Sequence, residues 1–157
     1  MDEEKKGSDG RPMILRVCVF AGALTLDRVT KIWALSNLAQ ALAGESPVFP
    51  SLVLYFNRGI TFSLFDKRAS VALYAALTGA ILFGIVCLKS ESFRKLSGTS
   101  LLWAGAVGNL TDRIIYGYVI DWIFVGGYVN LADIWLSVGC LQIFAHCFQN
   151  FKREAGV

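Results

Sequence analysis

Charge is scarce in this chain. Asp, Glu, Lys and Arg make up 17% of its 157 residues, against about 25% in a soluble domain of ordinary composition. Histidine is nearly missing, with His146 the single one. There is no His-Glu-x-x-His helix and no His/Cys cluster at zinc-ligand spacing, so the sequence offers no zinc site. A glycine loop of the Walker type is also missing. The four cysteines, Cys18, Cys87, Cys140 and Cys147, stand at no metal-like spacing and read as small apolar side chains rather than a disulfide framework. "SVGC" at 137–140 resembles a lipidation site, but lies mid-helix without the large apolar residue three places earlier.

What the chain does have is hydrocarbon. Its residues are 55% hydrophobic and its mean hydropathy is +0.53. Ala69 to Leu88 gives twenty residues without charge, and Ile134 to Phe151 gives eighteen. Those lengths suit the roughly 20 residues a helix needs to span a bilayer. A third window, Leu96 to Thr111, ends at Asp112, and a fourth, Met13 to Leu26, is broken only by Arg16 and extends through Asp27–Lys31 to Leu35. The pattern predicts an all-α membrane protein with four transmembrane helices. A cleaved signal peptide is the competing reading of the first window, but "TLDRVTKIW" continues as helix with no small-residue cleavage site.

Lys and Arg set the expected orientation. Lys5, Lys6 and Arg11, then Lys89, Arg94 and Lys95, then Lys152 and Arg153 fall in three segments that share one side of a four-helix chain. That side is expected to be cytoplasmic. Arg58, Lys67, Arg68 and Arg113 lie opposite, fewer over more residues. The net charge of +3 therefore reports topology and not nucleic-acid binding. Residues 1–11 read as a disordered cytoplasmic tail, 12–151 as one membrane domain with its first helix over Pro12–Leu35, and 152–157 as a second cytoplasmic tail. Ser36 to Arg68 is too polar, and too broken by Pro47 and Pro50, to span. Within it, "SLVLYFNRGITFSLF" reads as short interfacial strands about an Asn-Arg-Gly turn. Ser90–Lys95 reads as a cytoplasmic link, and Ile114–Leu131 as an outer one.

The polar residues that remain gather toward the outer side. Asn109 and Asp112 in "GNLTDR", and Asn130 and Asp133 in "NLAD", are each three apart and share a helix face. Asp121 follows "GYVI", Asn57 and Gly59 sit in the interfacial loop, and Asp27, Arg28 and Lys31 end the first helix. Each has a structural alternative. Asn130 or Asp133 would cap the last helix, Asp112 would pair with Arg113, Asp27 would pair with Lys31 along the helix surface, and Asn57-Arg58-Gly59 would be only a turn. Their convergence at one depth argues for function, because ionisable groups in or beside hydrocarbon are costly.

No serine or cysteine stands beside a histidine on the outer side, which leaves a nucleophilic triad unsupported. A carboxylate pair remains. Two close acids in a poorly hydrated site share one proton, so one acts as base and the other as acid. Such a pair hydrolyses a peptide bond without metal or cofactor.

The blocks "LDRVTK" at 26–31, "NRGITFS" at 57–63, "GNLTDRIIYGYVIDWI" at 108–123 and "NLADIWLSVG" at 130–139 resemble, in order and spacing, those of the lipoprotein signal peptidase family, signal peptidase II. The resemblance covers essentially everything after the N-terminal tail. It implies four helices with a small interfacial β-element and both termini cytoplasmic, in the bacterial inner membrane. It also implies cleavage of prolipoproteins just before a diacylglyceryl-modified cysteine. Diacylglyceryl prolipoproteins and membrane lipid are the implied partners, with no nucleic acid, cofactor or obligate protein partner. The catalytic aspartates would be Asp121 and Asp133. Asn57, Gly59, Asn109, Asp112, Arg113 and Asn130 would shape the site or bind substrate, and Asp27 and Lys31 would be structural. Phe56, Phe62 and Trp122 are candidates for an apolar wall that receives the lipid. The chain departs from the family pattern at Ile60, Thr61 and Trp122, and in a short Asp121–Asp133 connection that leaves the extent of any lid open. Two other classes compete. An ion or proton carrier needs acids across the whole bilayer depth, whereas the inner helix halves offer only His146 and Gln142. A purely structural subunit leaves the matched blocks unexplained.

Overall fold

The computed structural model describes residues 10–40, 48–59, 69–89 and 96–156. The expected tail up to Asp9, the segment 60–68 with Ile60, Thr61, Phe62, Lys67 and Arg68, and the whole of the expected link at 90–95 lie outside the described residues. The low-charge windows become helices: α1 Gly10–Asn37, α2 Ala69–Lys89, α3 Ser97–Tyr116 and α4 Leu131–Ala155. Among the described residues three strands accompany them, β1 Ser51–Asn57, β2 Val119–Phe124 and β3 Tyr128–Val129. Helix α1 is longer at both ends than the expected Pro12–Leu35. Residues 152–155 complete α4, where Lys152 and Arg153 face the negative end of the helix dipole.

Helix ends follow local chemistry. Gly117 adopts the left-handed conformation at φ 78° and closes α3 by donating its N–H to the Arg113 carbonyl. Asn130 opens α4 through a capping box with Asp133. Among the described residues, α4 is the one helix long and apolar enough by itself to cross a membrane, and α2 adds a shorter apolar run, Leu73–Val86. Helices α1 and α3 interrupt their apolar runs with Asp27, Arg28, Lys31, Asp112 and Arg113. Of these, Asp27, Lys31 and Asp112 are buried inside the protein.

Helix α3 packs against α1, α2 and α4. Its contact with α4 depends on glycine: a Cβ at Gly139 would lie 2.6 Å from the Gly98 carbonyl oxygen. Small residues allow such backbone approach, which matters most where surrounding lipid removes the hydrophobic drive between helices. Gly108 has a different duty, since a Cβ there would lie 2.6 Å from Asp27 Oδ2.

The sheet runs β1-β2-β3, antiparallel throughout. The partner of β1 is therefore β2, taken from the segment expected to be an outer link. That segment instead holds the end of α3 and a β2–β3 hairpin. "VIDWIF" is β-branched and aromatic, and Gly126, at φ 85°, takes the turn. The far arm of the turn expected about Asn-Arg-Gly lies outside the described residues. Alternation gives the sheet two unlike faces. Leu54, Phe56, Ile120 and Trp122 pack with Ala34 of α1, and the other face carries Asn57 and Asp121.

Candidate active site

Antiparallel pairing sets Tyr55 opposite Asp121 and Asn57 opposite Val119, so Asn57 reaches Asp121 diagonally on one face. Asn57 Nδ2 donates to Asp121 Oδ2 at 2.9 Å. From the start of α4, Asn130 Nδ2 donates to Asp121 Oδ1 at 2.5 Å. Asp133, one turn into that helix, accepts the Asn130 backbone N–H on Oδ2 at 3.1 Å and Asn109 Nδ2 on Oδ1 at 2.8 Å. Every oxygen of the two carboxylates thus receives an N–H. Each oxygen keeps a second lone pair, and both acids border one cavity.

The orientation of all three asparagines is determined by partners that can only donate. Asn57 Oδ1 accepts the Gly59 N–H at 3.0 Å, and Asn130 Oδ1 accepts the Asp133 N–H at 3.1 Å. Asn109 Oδ1 accepts from Lys31 Nζ at 3.0 Å. With each oxygen so held, each amide NH2 must point the other way, toward an aspartate. Asn130 is both a helix cap and a ligand of Asp121, so its two readings coexist.

Burial drives the Asp121 carboxyl up from its ordinary value of 3.8 to about 7, and the like charge of Asp133 adds to the rise. The two amide donors and Lys31 oppose it. A proton is therefore held in the pair near neutral pH, as acid–base work requires.

Beside the pair lies a cluster of two acids and two bases, in which Asp27, Asp112 and Lys31 are buried and Arg28 is partly exposed. Lys31 Nζ is 3.1 Å from Asp27 Oδ2 and 2.8 Å from Asp112 Oδ2, while Arg28 meets Asp27 at 2.9 Å and Asp112 at 2.7 Å. The Asp27–Lys31 pair exists but is buried rather than superficial, because α3 packs over that face of α1. Asp112 turns to Lys31 and Arg28, not to Arg113. Adjacent helical residues point about 100° apart, and Arg113 donates instead to the carbonyls of Asn109 at 3.3 Å and Gly59 at 3.1 Å. The acids also accept backbone donors, Ala132 N–H on Asp27 and Ile120 N–H on Asp112. The cluster consequently joins α1, α3, β2 and α4. Removing one member of such a buried pair costs about 3–5 kcal/mol. Arg28, which the sequence marks only as one of the charged residues that end the first helix, bonds to both acids of the cluster.

The cavity has a volume of about 670 Å³. From Asp133 it follows Leu136, Cys140, Ile143 and Cys147 along one face of α4, about 21 Å at 1.5 Å per residue. Ala80 and Phe83 belong to its α2 wall. Phe56 and Trp122 are not part of this wall, because strand alternation turns them to the opposite sheet face, and Phe62 lies outside the described residues. Tyr128 borders the cavity and stacks on Tyr55, rings 4.0 Å apart and 11° from parallel. That aromatic pair was not foreseen, because it depends on a pairing of β1 with the β2–β3 hairpin that the sequence did not reveal.

Comparison with known proteins bears on this geometry. Residues 19–149 match the family described as signal peptidase (SPase) II. The lipoprotein signal peptidase of Bartonella quintana is 34% identical over 141 residues, 82% of this chain and 83% of the relative. That of Clostridium novyi is 31% identical over 140 residues, 82% of this chain and 94% of the relative. A solved structure described as a bacterial membrane enzyme, obtained by the in meso method at 2.3 Å resolution, superposes with a TM-score of 0.74. It has 22% identity and covers 88% of this chain and 90% of its own.

Proposed function

The chain belongs to the signal peptidase II family, and from that premise we propose that Asp121 and Asp133 are its catalytic pair. The protein is a membrane-integral aspartic-type peptidase that removes signal peptides from prolipoproteins. One observation carries the assignment: a carboxylate from strand β2 and one from the first turn of α4 border the same apolar cavity, with three asparagines aimed at them.

In the proposed reaction Asp133, at the positive end of α4, takes a proton from water. The water oxygen bonds to the scissile carbonyl carbon while Asp121 gives its proton to the carbonyl oxygen. The tetrahedral intermediate then returns that proton to Asp121 as the C–N bond breaks. The leaving nitrogen takes the proton held by Asp133. Asn57, Asn109 and Asn130 hold the carboxylates in place, and Arg113, at the cavity edge, offers a cation to the substrate backbone. Gly59 and Asp112 shape the site through their contacts with Asn57, Arg113 and Ile120.

The cleaved bond precedes a diacylglyceryl cysteine in this reading, and the apolar cavity receives hydrocarbon from the substrate. All four helices span the bacterial inner membrane as one domain, both termini cytoplasmic and the pair near the outer face. The Lys and Arg distribution supports that topology, as does the inward turn of the charges on α1. The test is cleavage of a diacylglyceryl-cysteine prolipoprotein by purified protein, beside Asp121→Asn, Asp133→Asn and an unlipidated substrate. Cleavage by the parent alone, of the lipidated substrate alone, is expected. Turnover by either variant overturns the pair.

A further inference from the structure

We propose that Lys31 is a positioning residue for hydrolysis, acting through Asn109 to aim an amide N–H at Asp133. The inference rests on the catalytic pair proposed above. Lys31 is only 1% exposed, and an ammonium has three donors and no acceptor. Its three partners are Asp27 Oδ2 at 3.1 Å, Asp112 Oδ2 at 2.8 Å and Asn109 Oδ1 at 3.0 Å. Two of these contacts form the ion-pair cluster. The third leaves it and enters the hydrolytic site.

That third contact decides which way a carboxamide faces. Asn109 Oδ1 also accepts Asn130 Nδ2 at 3.2 Å, and its Nδ2 donates to Asp133 Oδ1 at 2.8 Å. Turning the amide over would set NH2 against the ammonium and against the Asn130 amide, and oxygen against the Asp133 carboxylate. Without Lys31 the one cationic restraint on that turn is gone, and the amide is held only by Asn130 and Asp133. Asp27 and Asp112, by contrast, would retain Arg28 and their backbone donors. Lys31 thus has a duty toward Asp133 separable from charge balance. The titratable and charged groups facing this corner are Asp27, Arg28 and Lys31 from α1, Asp112 and Arg113 from α3, Asp121 from β2, Tyr128 from β3 and Asp133 from α4.

The experiment compares Lys31→Met, Asn109→Ala and their combination, with Asp27→Asn/Lys31→Met to restore charge balance should the single variant not fold. Each is purified in detergent, checked by thermal unfolding, and assayed for kcat, KM and the pH profile on a diacylglyceryl-cysteine prolipoprotein. Lys31→Met is expected to lower kcat at least tenfold with KM little changed, and to move the acidic limb of the profile to higher pH. It should cost less than threefold further in the Asn109→Ala background, since residues acting as a unit are not additive. The charge-balanced variant should recover stability but neither kcat nor the profile. Parental kcat and profile in a folded Lys31 variant, or full additivity with Asn109→Ala, overturns the proposal. Asp133→Asn run in parallel separates the two readings. If it is inactive while the Lys31 variants behave as parent, only the positioning role fails, and if it is active the catalytic pair fails as well.

Discussion

Asn130 and Asp133 cap α4 reciprocally, the Asn130 side chain accepting the Asp133 N–H at 3.1 Å and the Asp133 side chain accepting the Asn130 N–H at 3.1 Å. The same Asn130 amide spends its NH2 on Asp121. Helix initiation and the spacing of the two acids therefore depend on one side chain. This coupling predicts that serine and alanine at position 130 behave differently. Serine would keep a cap of similar strength, while alanine would lose it at about 0.5–2 kcal/mol. Asn130→Ser should unfold within a few degrees of the parent, Asn130→Ala several degrees lower, and both should lose at least tenfold in kcat. Thermal unfolding and turnover of the two purified variants test this, and parental turnover in Asn130→Ser contradicts it.

The pair should behave as a unit. Asp121→Asn and Asp133→Asn are each expected to lose more than a thousandfold in kcat, and the double variant little more. Additive losses, measured on purified protein, would show that the two acids do not share one reaction.

Activity should fall as pH rises through about 7, where the proton held by Asp121 leaves. The pH dependence of kcat/KM is the measurement, and an unchanged rate from pH 6 to 9 counts against Asp121 as the acid. Stability should follow the same group. Its folded pKa lies above its unfolded one, so between about pH 4 and 7 the native state binds more protons and loses stability as pH rises. Asp121→Asn should then raise the unfolding temperature at pH 8, with the advantage vanishing toward pH 4.

Filling the cavity should affect substrate binding without touching the chemistry. Ala80→Trp, on the α2 wall, is expected to raise KM at least fivefold and leave the pH profile in place. Removing the diacylglyceryl group from the substrate should cut kcat/KM by orders of magnitude, since each buried methylene contributes about 0.8 kcal/mol to anchoring. Equal cleavage of matched lipidated and unlipidated substrates would point to a general intramembrane protease.

Cysteine labelling in sealed vesicles should find Gly126→Cys from the outside, and Ser92→Cys and Ala155→Cys only from the cytoplasmic side. The reverse pattern would invert the orientation drawn from Lys and Arg.

The sequence by itself determined the helices, the segregation of charge and the identity of the candidate acids. These are local properties: a run of about twenty apolar residues in a bilayer must satisfy its backbone N–H and C=O groups within the segment and so forms a helix, and an aspartate in apolar surroundings stands out in a linear reading. The tertiary structure decided the partners. Asp112 lies next to Arg113 in the chain, yet its cations come from Lys31 and Arg28 across about eighty residues, because helix geometry points neighbours apart and α1 supplies the facing side chains. Strand β1 found β2, more than sixty residues away in sequence, and that pairing packed Phe56 and Trp122 against the core of Ala34, Leu54 and Ile120 while placing Tyr55 opposite Asp121. The direction of each asparagine was beyond the sequence for the same reason. A carboxamide looks much the same either way round until a donor such as the Lys31 ammonium or a backbone N–H takes hold of its oxygen, and only the packed helices and strands bring that donor within reach.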